Sequence, residues 1–167
     1  MPNIRERLLI GAPPEEVYAA LTTQKGLASW WTPDVKATPE KATTARFGFQ
    51  PPYVKEMKIT ELKPGKRVQW KCIEGAEEWK NTTLTFELEG GDRVSLLRTH
   101  PEMADQAAQQ TGNRTTTLLT FAHDNWREYT PMFAECSYTW GQFLRGLKLL
   151  CETGKGRPWP TQHRRES

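Results

Sequence analysis

Residues 130–154 read TPMFAECSYTWGQFLRGLKLLCETG. Thr130 can cap a helix with its side-chain oxygen, and Pro131 suits a first helical turn. Gly154 is a typical C-terminal stop. Between these ends, apolar residues recur at helical spacing: Phe133, Cys136, Trp140, Phe143, Leu144, Leu147, Leu150 and Cys151. The pattern predicts one long amphipathic helix near the end of the chain.

The sequence before this helix alternates between apolar and polar residues in several short segments. Successive side chains of a strand point to opposite faces, so alternation predicts antiparallel strands with one face on a core and one in water. The apolar positions are Ala45, Phe47, Phe49, Met57, Ile59, Val68, Trp70, Cys72, Leu84, Phe86 and Leu88. Ile4–Ile10, Val94–Arg98 and Thr115–His123 are predicted as further strands.

Two short helices are expected after the first strand. Pro13-Pro14-Glu15-Glu16 suits the start of a helix, because proline fits the first turn and carboxylates favour the positive end of the helix dipole. A second helix is predicted over Gln24–Trp31, ending before Pro33. The order of elements predicts an α+β helix-grip fold, in which a curved antiparallel sheet of about six to seven strands wraps around the C-terminal helix.

The segment Thr99–Arg114 is the least regular part of the pattern. Pro101-Glu102 followed by Met103 to Gln109 and then Gly112 predicts a short helix with a defined start and stop. Its polarity indicates a surface excursion. A tolerated loop insertion is the favoured interpretation, and a lid over a cavity mouth is the alternative.

Composition limits the classes of function. The 167 residues fit one domain, predicted here as residues 1–156 followed by a flexible basic tail at 157–167. The formal net charge of +3 is small and lies partly in that tail, which argues against nucleic-acid binding. No apolar run is long enough to span a membrane, and no secretory signal is evident, so we expect a cytoplasmic protein. The three cysteines are widely spaced and predict neither disulfides nor a metal site.

Three phrases of the sequence resemble one known superfamily. They are Ala12-Pro13-Pro14-Glu15-Glu16-Val17-Tyr18-Ala19-Ala20-Leu21-Thr22 with Gly26-Leu27 and Trp30-Trp31, then Phe121-Ala122-His123-Asp124-Asn125-Trp126, and finally the run from Trp140 to Gly156. Together they resemble the SRPBCC superfamily (START or Bet v 1-like proteins), and within it the branch of homologues of the heat-shock protein 90 ATPase activator. The resemblance covers nearly the whole chain except Thr99–Arg114.

The resemblance implies a hydrophobic tunnel between the sheet and the long helix. It supports the fold more strongly than any one activity, because the superfamily contains lipid carriers, plant allergens, cyclases and chaperone cofactors. A chaperone contact is therefore one of the partners that the resemblance allows.

Residues that face the space between sheet and helix are the candidate ligand site. Inward aromatic and apolar side chains suit either a filled core or a cavity, and the pattern does not separate the two. The candidates are Trp30, Trp31, Phe47, Phe49, Met57, Trp70, Phe86, Phe121, His123, Phe133, Cys136, Trp140 and Phe143.

His123, Cys136 and Glu6 are the polar or reactive side chains whose position allows two interpretations. His123 could orient a ligand or act as a general acid, or it could be a structural histidine bonded at the end of its strand. A nucleophilic pair of Cys136 with His123 is the weaker idea, since buried cysteine is commonly a small apolar residue. Glu6 is interpreted as an edge residue with broken register rather than as an inward carboxylate.

The leading hypothesis is non-catalytic binding of a small hydrophobic or aromatic molecule, with no cofactor and no metal. One alternative is an interaction module of the chaperone-cofactor kind. Another is a cyclase- or hydrolase-type enzyme that uses His123. A monomer or a homodimer fits each of these hypotheses.

Overall fold

We describe a computed structural model of the chain over residues 2–110, 112 and 114–165. Its strands are β1 (Ile4–Ile10), β2 (Val35–Lys36), β3 (Thr44–Gly48), β4 (Val54–Lys63), β5 (Arg67–Glu74), β6 (Thr83–Gly91) and β7 (Thr116–Asp124). Its helices are α1 (Pro14–Thr22), α2 (Gln24–Trp30), α3 (Arg93–Thr99), α4 (Ala104–Ala108) and α5 (Pro131–Thr153), with a 3-10 turn at Pro101–Met103.

The seven strands form one curved antiparallel sheet in the order β1-β7-β6-β5-β4-β3-β2. The long helix α5 packs against β1 and against α1 and α2. Inward side chains of the strands and the buried face of α5 form one continuous core. The predicted α+β helix-grip fold is therefore confirmed, including the two short helices after the first strand.

The ends of α5 have the structure that their sequence predicts. Thr130 Oγ1 accepts a hydrogen bond from the backbone N–H of Phe133 at 3.1 Å, which satisfies a free donor of the first turn. Gly154 adopts a left-handed φ of 86° and its N–H donates to the carbonyl of Leu150 at 2.8 Å. Capping at both ends fixes the length of the helix that covers the sheet.

The predicted strand at Val94–Arg98 is wrong, because these residues belong to helix α3. The side chain of Asp92 accepts a hydrogen bond from the Ser95 N–H at 2.9 Å and another from the Ser95 hydroxyl at 2.7 Å. This N-cap starts a helix directly after β6, and it outweighs the strand preference of Val94. Leu96 on the resulting helix is buried.

Helices α3 and α4 cover the outer face of the sheet, away from α5. Leu8 and Leu119 are paired and belong to the main core, whereas their neighbours Leu9 and Leu118 point to the opposite face. There they form a second small core with Leu96, Met103 and Ala107. The short helix predicted after Pro101 is present. The buried residues of the segment pack on this outer face, which does not support the alternative of a lid over the cavity mouth; residues 111 and 113 lie outside the described chain.

The side chain of Gln106 closes part of the free edge of β1. Its Oε1 accepts a hydrogen bond from the Leu9 N–H at 2.9 Å, and its Nε2 donates to the Arg7 carbonyl at 3.0 Å. These are the bonds that another strand would make at this edge. The insertion therefore protects the first strand as well as burying apolar surface.

The segment after α5 packs against the domain in its first part. The backbone N–H of Trp159 donates to the carbonyl of Trp31 at 2.8 Å, and the indole of Trp159 meets the ring of Phe49 edge to face. Gly156 lies so close to Ser29 that a Cβ there would collide with the Ser29 carbonyl oxygen. The first residues of the tail predicted from residue 157 thus pack against the domain, and its last two residues lie outside the described chain.

Candidate functional site

An aromatic cluster fills the deep part of the space between sheet and helix. Trp31 lies at its centre, stacked between Trp30 and Trp70 with ring centroids 5.9 and 5.8 Å apart. Phe47 and Trp140 approach Trp31 to 4.4 and 5.3 Å. Six further candidates of the sequence analysis are fully buried in this cluster or beside it: Trp30, Phe47, Met57, Trp70, Phe86 and Phe121. These six side chains are close-packed parts of the core.

His123 is fully buried and uses both ring nitrogens. The indole Nε1 of Trp140 donates to His123 Nδ1 at 3.1 Å. An indole nitrogen only donates, so Nδ1 carries no proton and the neutral ring is protonated at Nε2. Nε2 then donates to Thr82 Oγ1 at 2.9 Å, and the Thr82 hydroxyl donates to the Trp79 carbonyl at 2.6 Å.

Burial, together with the nearby charge of Lys55, lowers the pKa of His123 to about 3. At neutral pH the ring is therefore uncharged and has no free nitrogen for a ligand or a substrate. We interpret His123 as a structural residue that joins β7 to α5. This arrangement does not support the hypothesis of a general acid at this position.

Cys136 does not pair with His123. Its sulfur instead accepts a hydrogen bond from the indole Nε1 of Trp79 at 3.3 Å. Burial raises the pKa of the Cys136 thiol above its ordinary value. A neutral thiol without a base is a poor nucleophile, so the geometry offers no Cys–His catalytic pair.

A pocket of about 290 Å³ opens at one end of the aromatic cluster. It lies between the first half of α5, the start of β4 and the ordered segment after α5. Its walls come from Trp31, Phe49, Lys55, Trp79, Glu135, Cys136, Thr139, Trp140, Phe143, Trp159 and Gln162. Six of these eleven residues are Trp or Phe, so most of the wall is aromatic.

Lys55 supplies the positive charge of this pocket. Its Nζ lies 4.6 Å from the ring centroid of Phe49 and 4.6 Å from that of Trp79. A cation over two aromatic faces is held by their electron density. Burial lowers the pKa of the Lys55 amine, because the charged form has lost part of its hydration.

Only five of the residues predicted for the ligand site line the pocket. Trp31, Phe49, Cys136, Trp140 and Phe143 line it. Phe133 contacts Trp126 and Tyr129 instead, with ring centroids 5.3 Å apart in each pair.

Sequence reasoning missed Lys55, Trp79 and Trp159. Lys55 shares the alternation phase of Met57 and Ile59, so its inward position was detectable. Trp79 lies between β5 and β6 and Trp159 lies after α5, where no periodicity marks a residue as inward.

Glu6 is an inward carboxylate, so the interpretation of a broken register is wrong. The pairing of β1 with β7 is continuous from Ile4 to Ile10 and places Glu6 opposite the buried Phe121. Its Oε1 faces α5, within 3.6 Å of where a Cβ on Gly141 would lie. Partial burial raises the pKa of the Glu6 carboxyl. Glu6 is not part of the aromatic pocket.

Neither a metal cluster nor a membrane helix is found where the structure describes the chain. Over residues 2–110, 112 and 114–165, no group of three or more His, Cys, Asp or Glu side chains could hold a metal ion. Within the same ranges, no helix is both long and apolar enough to cross a membrane.

Comparison with known proteins places this architecture in a family. Residues 11–152 match the family described as Activator of Hsp90 ATPase homolog 1-like protein. The chain belongs to this family. The resemblance that the three sequence phrases indicate is therefore confirmed. No match is found among curated proteins.

Solved structures support the same assignment. The solution structure of the Aha1 dimer from Colwellia psychrerythraea is 35% identical, with a TM-score of 0.71 over 93% of this chain and 100% of that one. Protein CV1439 from Chromobacterium violaceum is 19% identical, with a TM-score of 0.63 over 90% and 96% of the two chains. CalU16 from Micromonospora echinospora is 18% identical, with a TM-score of 0.60 over 89% and 73%. The last two show the fold alone.

Proposed function

We propose that this family member binds a small, largely apolar molecule in the aromatic pocket, without transforming it. The pocket itself is the observation that carries the proposal: Trp31, Phe49 and Trp140 leave space at the rim of the core. Concave sites walled by aromatic side chains with a few polar groups are typical of ligand binding.

The dimensions of the pocket favour a compact ligand. Its volume of about 290 Å³ lies just below the roughly 300–1,000 Å³ that ligand pockets occupy. A compact molecule with one to three rings suits this space better than a long acyl chain. The filled core beneath Trp31 blocks the deeper extension that a long chain would need.

A pocket-filling variant tests this function. N-phenyl-1-naphthylamine, an uncharged dye that fluoresces in apolar sites, is titrated into the wild type and into Thr139→Trp, which places an indole in the pocket. The control is Arg145→Trp, which adds the same side chain at an exposed position of α5.

We expect the wild type to bind the dye saturably. Thr139→Trp should lower the affinity by about tenfold or more, and Arg145→Trp should leave it unchanged. Native mass spectrometry of protein purified without detergent adds an independent search for a carried molecule. Equal binding by all three proteins, or no saturable binding by the wild type, would reject the function.

A chaperone-cofactor role is the second candidate. Two observations favour it: the 35% identical relative is an Aha1 protein, and apolar side chains are exposed around the first half of α5. Tyr129, Met132 and Tyr138 form this exposed set, with 78%, 37% and 67% of their surface accessible. Exposed apolar groups of this kind suit a protein partner.

This role predicts that the chain stimulates the ATPase turnover of heat-shock protein 90. The double variant Tyr129→Ser and Tyr138→Ser should lose the stimulation while retaining dye binding. We also propose a homodimer, by analogy with the dimeric relative, and light scattering coupled to gel filtration tests it.

A further inference from the structure

We propose that Lys55 makes the pocket selective for compact aromatic carboxylates, whose anionic group pairs with its ammonium while the ring enters the aromatic wall. This inference rests on the proposed binding function and names the chemistry of its ligand.

The position of Lys55 in the sheet explains why its side chain points toward the pocket. Lys55 lies on β4 in the same phase as the buried Met57, and it is paired with the buried Phe47 of β3. Both relationships direct its side chain toward α5, whereas Lys58 on the same strand points to solvent. A long side chain at an inward position near the strand end can reach the pocket mouth.

The ammonium has no anionic partner among the described residues. The ion pairs found there do not involve Lys55. Its Nζ lies over the faces of Phe49 and Trp79, 4.6 Å from each ring centroid. Aromatic faces replace the lost hydration of the ammonium only in part. An anion placed beside it would therefore stabilise its charged form.

The other titratable groups near the pocket do not compete for this role. Cys72 and Cys136 interact electrostatically with Lys55, but burial raises both thiol pKa values, so they are uncharged at neutral pH. Glu135 is the carboxylate of the pocket wall, and it is exposed to solvent, where its field is screened. Of these two charged wall residues, Lys55 is the less exposed to solvent.

Gln162 supplies a second polar group to the same wall. Its Oε1 is buried and has no hydrogen-bond partner among the residues that the structure describes. The two ends of a side-chain amide are interchangeable by rotation, so Gln162 can present its N–H₂ to a carboxylate oxygen. A ligand carboxylate that pairs with Lys55 and accepts from Gln162 also satisfies the unpaired buried end of the Gln162 amide.

A matched pair of ligands tests the selectivity. 2-Naphthoate and the uncharged 2-naphthamide have nearly the same shape and differ in charge. Both are titrated by calorimetry into the wild type, Lys55→Met, Lys55→Arg and the exposed-lysine control Lys58→Met. Methionine keeps the apolar stem of the lysine, and thermal unfolding verifies that each variant is folded.

The wild type is expected to bind the carboxylate at least about tenfold more tightly than the amide. A charge-assisted hydrogen bond contributes a difference of this size. Lys55→Met should lose that preference and keep amide binding, whereas Lys55→Arg and Lys58→Met should retain it. Equal binding of both ligands by the wild type, or an unchanged preference in Lys55→Met, would overturn the inference while leaving the binding function intact. Failure of both ligands to bind the wild type, together with absent dye binding, would reject the binding function itself.

Discussion

The hydrogen bond from Trp140 to His123 joins the middle of α5 to the end of β7. It measures 3.1 Å and is fully buried. Trp79 and Trp126 surround the same imidazole, with ring centroids 4.6 and 4.8 Å away. The neutral ring is thus a fixed part of the helix–sheet contact beside the pocket, and protonating it would remove the acceptor that Trp140 needs.

Acid should destabilise the protein through His123. The folded-state pKa of about 3 lies below the ordinary 6.5, so between these values the unfolded chain binds the extra proton and stability falls as the pH falls. From pH 7 to pH 5 this group alone should lower the free energy of unfolding by about 2 kcal/mol. Urea unfolding at the two pH values measures the change.

The variant His123→Gln removes the titrating group. It should be less stable at pH 7, because the Trp140 and Thr82 contacts are disturbed, by about 1–3 kcal/mol. Its stability should also depend less on pH between 7 and 5 than that of the wild type. The same pH dependence in both proteins would show that His123 is not held neutral.

Gln106→Ala should open the edge of β1. The Leu9 N–H and the Arg7 carbonyl lose their partners, which should cost about 1–3 kcal/mol in the free energy of unfolding. Hydrogen exchange of the Leu9 amide should accelerate, while dye binding in the pocket is unchanged. Gln109→Ala, at an exposed position nearby, is the control. Unaltered exchange at Leu9 in Gln106→Ala would contradict the edge-protecting role.

The three thiols should react slowly with iodoacetamide in the native protein. Burial raises the pKa of Cys72 to about 11 and that of Cys151 to about 12, and it also raises that of Cys136. Cys136 should react faster than Cys72, because Cys136 lines the open pocket whereas Cys72 is fully buried. Bound 2-naphthoate should slow Cys136 alone, as peptide mass spectrometry would detect. Rapid labelling of Cys72 would be inconsistent with this structure.

Gly156→Ala should displace the ordered segment after α5. An added methyl group collides with the Ser29 carbonyl, which should cost about 1–3 kcal/mol of stability. The Trp159 amide, which donates to the Trp31 carbonyl, should then exchange faster, and dye affinity should fall because Trp159 forms part of the wall. The exposed neighbour Lys155→Ala should behave as the wild type. If Trp159 exchange is unaffected, the segment is not held by this contact.

Sequence periodicity predicted the architecture because buried faces repeat with the period of their element. The inward residues of β5 and the apolar stripe of α5 follow this rule closely. The strand prediction for Val94–Arg98 failed because a single N-cap at Asp92 decides between helix and strand over so short a segment. Local hydrogen bonding there outweighs side-chain preference.

The site was harder to predict because core and cavity demand the same apolar residues. The side chains of Trp31 and Phe47 both point into the space between sheet and helix. Trp31 nevertheless lines the pocket, whereas Phe47 packs against other aromatic rings. Trp79 and Trp159 reach the wall from connecting segments, whose paths depend on tertiary contacts that no spacing encodes. Lys55 could have been predicted to point inward, because it alternates in phase with Met57 and Ile59 on β4.

Indole resonances offer the most direct measurement of pocket binding. All seven tryptophans are described, and those in the wall are Trp31, Trp79, Trp140 and Trp159. A ¹H–¹⁵N spectrum assigned by Trp→Phe variants follows each indole N–H during titration with 2-naphthoate or N-phenyl-1-naphthylamine. Saturable shifts concentrated on these four signals, with little change at the buried Trp30, are the predicted result. Unchanged wall signals at saturating ligand, or shifts only outside the wall, would contradict binding in this pocket.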